Sequence, residues 1–190
     1  MRKLTKITTI AVMAAAATLM GSGTLLRAAD ADEGTAKEQH GQFSRRDFKF
    51  AREAAEGGLL EVKLGELAKQ KATSPSVQQF ADQMVQDHTK ANDELKQLAM
   101  QKGATIPDKL TRHQENELER MQKLSGKDFD KSYAEHAVKD HKKDVKDFQD
   151  AVKDVQDPDL KAFAQKTLPI IEHHTQMAEQ MESSVKQAEP

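Results

Sequence analysis

Apolar residues recur in steps of three and four through four long stretches of the chain, the period of a helix that buries one face. Three runs are clear: Val77, Ala81, Met84, His88, Ala91, Leu95, Leu98; Ala134, Val138, His141, Val145, Phe148, Val152; and Leu160, Ala164, Thr167, Ile171, His174, Ala178, Met181. A fourth seam runs through Phe50, Ala54, Gly57, Glu61, Leu64 and Ala68, thickened by Leu60 and Leu67. Each seam carries one ionisable side chain near its middle: Glu61, His88, His141 or His174.

End signals place the helices at about 44–70, 74–102, 127–156 and 158–187. Ser44 reads as the first N-cap, with Asp47 three residues on as in a Ser-x-x-Glu box. Ser74 and Pro75 read as N-cap and first helical residue of the second helix, and Gly103 as the residue that ends it. The turn at 73–75 is short, so the first two helices should be antiparallel neighbours. Residues 104–126 contain Leu110, Leu118, Met121 and Leu124, the spacing of a short helix, with His113 facing solvent. A helix of about 28 residues is roughly 42 Å long, and this connection can run that distance. Gly57 and Gly58 weaken the first helix, and close approach of a neighbour is the simplest reason for them. Pro169 should kink the last helix near His174.

The second half repeats the first. Phe50-Ala51-x-x-Ala54-Ala55 aligns with Tyr133-Ala134-x-x-Ala137-Val138, and the same offset of 83 puts Glu61 on Asp144 and Ser74-Pro75-Ser76-Val77-x-x-Phe80-Ala81 on Asp157-Pro158-Asp159-Leu160-x-x-Phe163-Ala164. One offset through two helices and their turn implies two related hairpins about a pseudo-twofold axis. The helix midpoints fall near residues 57, 88, 141 and 172, so Glu61, His88, His141 and His174 should meet at one level of the core. Buried polar groups need hydrogen bonds, water or a cation. Asp87, Asp140 and Asp144 flank the cluster as acceptors for imidazole N–H groups, with Asp144 also available as a ligand. His136 and His173 lie beside the seams, at the rim or surface, and His40 has no assigned role. Met84, Met177 and Met181 read as core filler.

Composition agrees with an all-helical chain: aromatic residues are 4% and Trp and Cys are absent, while charged residues reach 32%. Without cysteine there is neither a disulfide nor a lipidated cysteine, and any metal site must use N and O ligands. Arg2, Lys3 and Lys6 precede an apolar run from Ile7 to Met20, and Gly21-Ser22-Gly23 or Ala28-Ala29 supplies small residues for cleavage, the pattern of a secretory signal. The run is short for a membrane span, so residues 1–29 are expected to be removed, residues 30–43 to form a flexible leader, and 44–187 the bundle. Removal takes four cations and no acid, moving the net charge from −2 to −6. That sign argues against nucleic acid or anionic lipid as partner. The expected location is the periplasm or another part of the envelope, with no stable transmembrane helix after cleavage.

Four runs carry a family resemblance: Ala54-Ala55-Glu56-Gly57-Gly58-Leu59-Leu60-Glu61-Val62-Lys63-Leu64-Gly65, Phe80-Ala81-x-x-Met84-Val85-x-Asp87-His88-Thr89-Lys90-Ala91-Asn92, Val138-x-Asp140-His141 and Leu168-Pro169-x-x-x-x-His174. Together they resemble the bacterial exported family catalogued as domain of unknown function 4142, over about residues 46–182. The resemblance implies a ferritin-like four-helix bundle: two related hairpins and a long crossover carrying a short helix. It implies no activity.

The di-iron pattern of ferritin-like proteins is not met, since Val85 and Ile171 stand where Glu-x-x-His motifs need Glu. A mononuclear site of Glu61, His88, His141 and His174, with Asp144 near, suits zinc, copper or iron better. Three readings stay open: an exported metal-binding bundle, a structural or stress-related envelope protein whose histidines form only a hydrogen-bond network, and a redox enzyme. A homodimer is compatible with each. No Ser-His-Asp arrangement or phosphate loop competes with them.

Overall fold

A computed structural model describes residues 40–188, and five helices account for most of them. They are α1 (Arg45–Lys71), α2 (Pro75–Gln101), α3 (Arg112–Gln122), α4 (Gly126–Asp154) and α5 (Pro158–Gln187). No strand occurs among the described residues. The expected signal segment and the first part of the expected leader lie outside them. Residues 40–43 are packed: His40 stacks on Phe48, Phe43 is buried, and the Gln42 N–H donates to Lys102 O at 2.8 Å. Among the described residues no helix is long and apolar enough to cross a membrane.

The helix ends follow the chemistry of their caps. Ser44 Oγ accepts from Asp47 N at 3.1 Å and starts α1. At the end of α2, Gly103 takes φ +67°. Its N–H bonds Met100 O while Ala104 N–H bonds Ala99 O, the two bonds of a Schellman motif, which needs a left-handed residue at this point. Thr111 and Gln114 form a reciprocal capping box for α3. The Gln114 amide also donates to Glu56 O at 2.8 Å, fastening this short helix to α1.

Helices α1 and α2 form one hairpin and α4 and α5 the other; the hairpins meet mainly through α2 and α5. The crossover carries α3 back along the bundle, so α4 begins beside the α1/α2 turn. Two buried carboxylates fix this arrangement. Asp130 of α4 accepts from Thr73 N, Thr73 Oγ and Ser74 N at 2.6–3.2 Å, and Asp47 of α1 accepts from Gln156 N and Asp157 N at 3.0 and 3.1 Å. The residues of the first set and those of the second, Asp130 and Asp47 among them, are related by the offset of 83 found in the repeat. Each hairpin thus caps the turn of the other, and the pseudo-twofold is expressed in hydrogen bonds as well as in sequence. Asp47 was expected to reach back to its own N-cap; its carboxylate instead serves the opposite hairpin.

The seams of α2, α4 and α5 are buried or half-buried at every expected position. On α1 the inward face is rotated by about one residue in its first half: Phe48, Ala51, Ala55 and Gly58 are buried where Phe50, Ala54 and Gly57 were expected. Burial of Asp47 and the contact with α2 set that face. A Cβ on Gly58 would collide with the Asn92 side chain, and one on Gly65 would lie 2.8 Å from Val85 Cγ2 and 3.2 Å from Ala81 O. Close approach therefore explains Gly58. Gly57 has open space around its Cβ direction, so that explanation fails there.

The apolar core is divided. One cluster contains Leu64, Phe80, Met84, Phe129, Tyr133 and Met181; the other contains Phe48, Leu95, Phe148, Leu160, Phe163 and Ile171. In sequence, each of His88, His141 and His174 falls between the parts of its helix that supply the two clusters, and Glu61 follows Leu60 at the start of the part of α1 that supplies the first, so a polar layer separates them. The methionines behave as filler: Met84 and Met181 are in the core and Met177 packs against it.

Candidate metal centre

The polar layer is supplied by one side chain from each long helix, and all four are buried. His88, His141 and His174 form a triangle with ring-centroid separations of 5.4–5.7 Å. One nitrogen of each lies within 4.8 Å of the others. Two of the rings are oriented from behind. His141 Nδ1 lies 2.9 Å from Ala137 O, so it carries the proton and leaves the lone pair on Nε2. His174 Nε2 lies 2.8 Å from Asp87 Oδ2, and with that N–H donating to the carboxylate the lone pair is on Nδ1. Asp87 is itself held by the Gln83 amide at 2.7 Å. His88 Nε2, His141 Nε2 and His174 Nδ1 are all buried without a hydrogen-bond partner.

Three unpartnered imidazole nitrogens in one enclosed place are costly for a protein interior, where polar atoms are nearly always paired. Two of them are the nitrogens left basic by the bonds their rings make on the other side, as in metal-ligating histidines. Burial pushes His88 down to about 4, against the opposing pull of Glu61, and lowers His174 despite Asp87. Both rings therefore favour the neutral, ligating form. A tetrahedral ion with bonds of about 2.0–2.1 Å needs its nitrogens roughly 3.4 Å apart, within reach of small side-chain rotations. A cavity of about 30 Å³ borders His88, Asn92, Asp144 and Thr167, room for a water beside His88, though neither His141 nor His174 lines it. The donor set fits a borderline first-row ion such as zinc, copper or iron.

Glu61 and Asp144 do not complete the triangle. Glu61 groups with His136 and Asp140, one ligand atom of each lying within 4.8 Å of the others. Its Oε1 is 3.6 Å from His136 Nε2, too long for a hydrogen bond, and both its oxygens are buried without a donor. Burial alone would raise this carboxyl. The His136 contact, followed by His141 and His88, outweighs burial and holds it well below the usual carboxylate range. The same charge works on His136, where Glu61 overcomes burial and lifts the ring to about 9. Burial and then Glu61 push Asp140 up to about 6, while burial followed by Asp140 and Glu61 pushes Asp144 well above the normal range. Asp144 lines the cleft between α1, α3 and α4 and belongs to neither group.

Asp87 is thus the one flanking acid found behind an imidazole; Asp140 and Asp144 lie on the Glu61 side. His136 was placed at the rim by its position off the seam, yet its side chain is only 10% exposed. The available signal was its spacing to Asp140, since residues i and i+4 share a helix face. His113 and His173 are exposed, as expected, and Pro169 lies on the exposed side of a continuous α5.

Comparison with known proteins adds the family and nothing finer. No curated protein and no solved structure matches the chain. The family model described as Domain of unknown function (DUF4142) matches residues 32–181, and with most of its length matched the chain belongs to the DUF4142 family.

Proposed function

We propose that this protein is an exported metal-binding bundle in which His88, His141 and His174 hold one transition-metal ion. The observation that carries the reading is the convergence of three buried imidazole nitrogens that have no other partner. A histidine network serving structure alone would spend those nitrogens on hydrogen bonds, and these three make none. The nearby acids Asp87 and Glu61 supply negative charge for a cation, and a small cavity beside His88 has room for water. Zinc, copper and iron all suit three imidazoles, and an open fourth position allows sequestration or modest hydrolytic or redox chemistry. Export is supported by the basic and apolar pattern of residues 1–29 and by the acidic charge that remains after them. Mass spectrometry of protein produced from the full chain in a secreting host tests that part: a mass lacking about 29 residues is expected.

The metal part is tested by elemental analysis and zinc titration of protein purified without chelator. Wild type should bind zinc, and His88→Ala or His141→Ala should each weaken binding by at least about a hundredfold, since even loss of an outer partner costs about 10–100-fold. Unchanged zinc affinity in both variants would reject the site.

A further inference from the structure

We infer that Glu61, His136 and Asp140 form a second cation site, with His136 and Asp140 in the wall of the cleft between α1, α3 and α4 and Glu61 buried beside them. Its donors are two carboxylates and one imidazole, a harder set than the histidine triangle, so the ion it takes is an oxygen-preferring divalent metal such as Mn2+ or Fe2+. The site is distinct from the triangle and does not depend on it.

Four features meet here. Ligand atoms from the three side chains lie within 4.8 Å of one another. Glu61 is fully buried with neither oxygen hydrogen-bonded, and His136 Nε2 is buried 3.6 Å from it, a charge pair without a hydrogen bond, so the group is desolvated and short of partners. His136 is backed by a carboxylate, Nδ1 lying 3.0 Å from Glu117 Oε1; in the metal-free protein Glu61 keeps the ring protonated, and an entering ion takes the place of the Nε2 proton. This is the carboxylate–histidine arrangement that supports metal ligands, with Glu117 supplied by the short crossover helix. His136 and Asp140 are one turn apart on α4 and present their donors on one face.

The site also has an entrance. The cleft has a volume of about 410 Å³, and its walls include Gly57, Glu117, His136, Asp140 and Asp144. Lys139 and Lys143 line it too, and Lys143 is engaged by Asp147 at 2.7 Å. Gly57 borders it with open space at its Cβ direction, so no side chain closes the cleft at that point. The α3 segment, fastened by the Gln114 amide to Glu56 O, holds Glu117 in place over the cleft.

The test is Mn2+ titration of the purified, metal-free protein, with unbound Mn2+ followed by electron paramagnetic resonance. Wild type should bind one Mn2+. His136→Ala and Asp140→Asn should weaken it at least about tenfold, and Glu117→Gln by about 10–100-fold as a positioning residue. His141→Ala should leave Mn2+ affinity within about threefold while abolishing zinc binding at the triangle. Glu117 is half-exposed on a short helix, so its variant remains informative if a core variant fails to fold; circular dichroism identifies that case. Absence of Mn2+ binding, equal binding in wild type and Glu117→Gln, or loss of Mn2+ only in His141→Ala would overturn the second site. Failure of zinc binding with Mn2+ binding retained would overturn the triangle and leave this site standing.

Discussion

Replacing Asp47 with alanine should destabilise the bundle by about 3 kcal/mol, and replacing Asp130 by about 4. Asp47 accepts two backbone N–H groups from the α4/α5 turn, and Asp130 accepts two N–H groups and a hydroxyl from the α1/α2 turn. Hydrogen bonds to a charged acceptor are worth about 1.5–3 kcal/mol each. The lower end applies because Gln156 and Thr73 are exposed, so water can recover part of the loss. At roughly 2–4 °C per kcal/mol for a domain of this size, Asp47→Ala should lower Tm by about 6–12 °C. The assay is urea unfolding of metal-free protein followed by circular dichroism, with an unchanged slope as the sign that stability alone has moved. The two carboxylates lie at opposite ends of helices about 40 Å long, so the double variant should be additive within about 0.5 kcal/mol. Asp154→Ala, which breaks only an exposed 3.4 Å pair with Arg46, is the control and should cost under about 1 kcal/mol. A loss below about 1 kcal/mol for Asp47→Ala would refute the reciprocal capping of the hairpins.

Further expectations follow from the polar layer and the glycines. Zinc at a hundred times its Kd should stabilise the protein by about 2.7 kcal/mol, a Tm rise of about 5–11 °C by calorimetry, and His141→Ala should abolish the rise. In metal-free protein the folded pKa of His88, about 4, lies below its ordinary 6.5. The unfolded chain therefore takes up a proton first as pH falls from 6.5 towards 4, and stability should drop by up to about 3 kcal/mol across that window; in His88→Leu this part of the pH dependence should vanish. His136 has the opposite sign, being held up to about 9. Its contribution is complete below pH 6.5 and is lost as pH rises through 9, a decline that unfolding of His136→Gln across that range should not show. Gly57→Ala should raise stability by about 0.5–1 kcal/mol because the Cβ enters open space, whereas Gly65→Ala, crowded by Val85 and Ala81 O, should lower it by more than 1 kcal/mol. Equal effects of the two in urea titrations would contradict the helix contact described.

Much of the fold was legible in the chain because helical period and cap chemistry are local. The boundaries at Ser44, Ser74–Pro75 and Gly103 each rest on a few neighbouring residues, and the offset of 83 related two hairpins without any contact being known. Placement of three histidines at one level followed from helix lengths alone. What was missed depends on rotation about a helix axis and on long-range polar contacts. The inward face of α1 is set partly by a buried aspartate, which a count of apolar residues treats as surface. Glu61 shares the level of the histidines but turns towards His136 and Asp140, and no spacing within α1 encodes that direction. Asp144 occupies the repeat position of Glu61 yet lines the cleft, because the histidine triangle itself departs from the pseudo-twofold: Gly58 and Ala91 stand at the positions related to His141 and His174.

The most direct test of the account is zinc K-edge absorption spectroscopy of His136→Ala protein loaded with less than one equivalent of zinc, which isolates the triangle from the cleft. The predicted spectrum shows three imidazoles at about 2.0–2.1 Å and one further oxygen ligand. A spectrum with fewer than three imidazoles, or zinc that remains in solution, would contradict it.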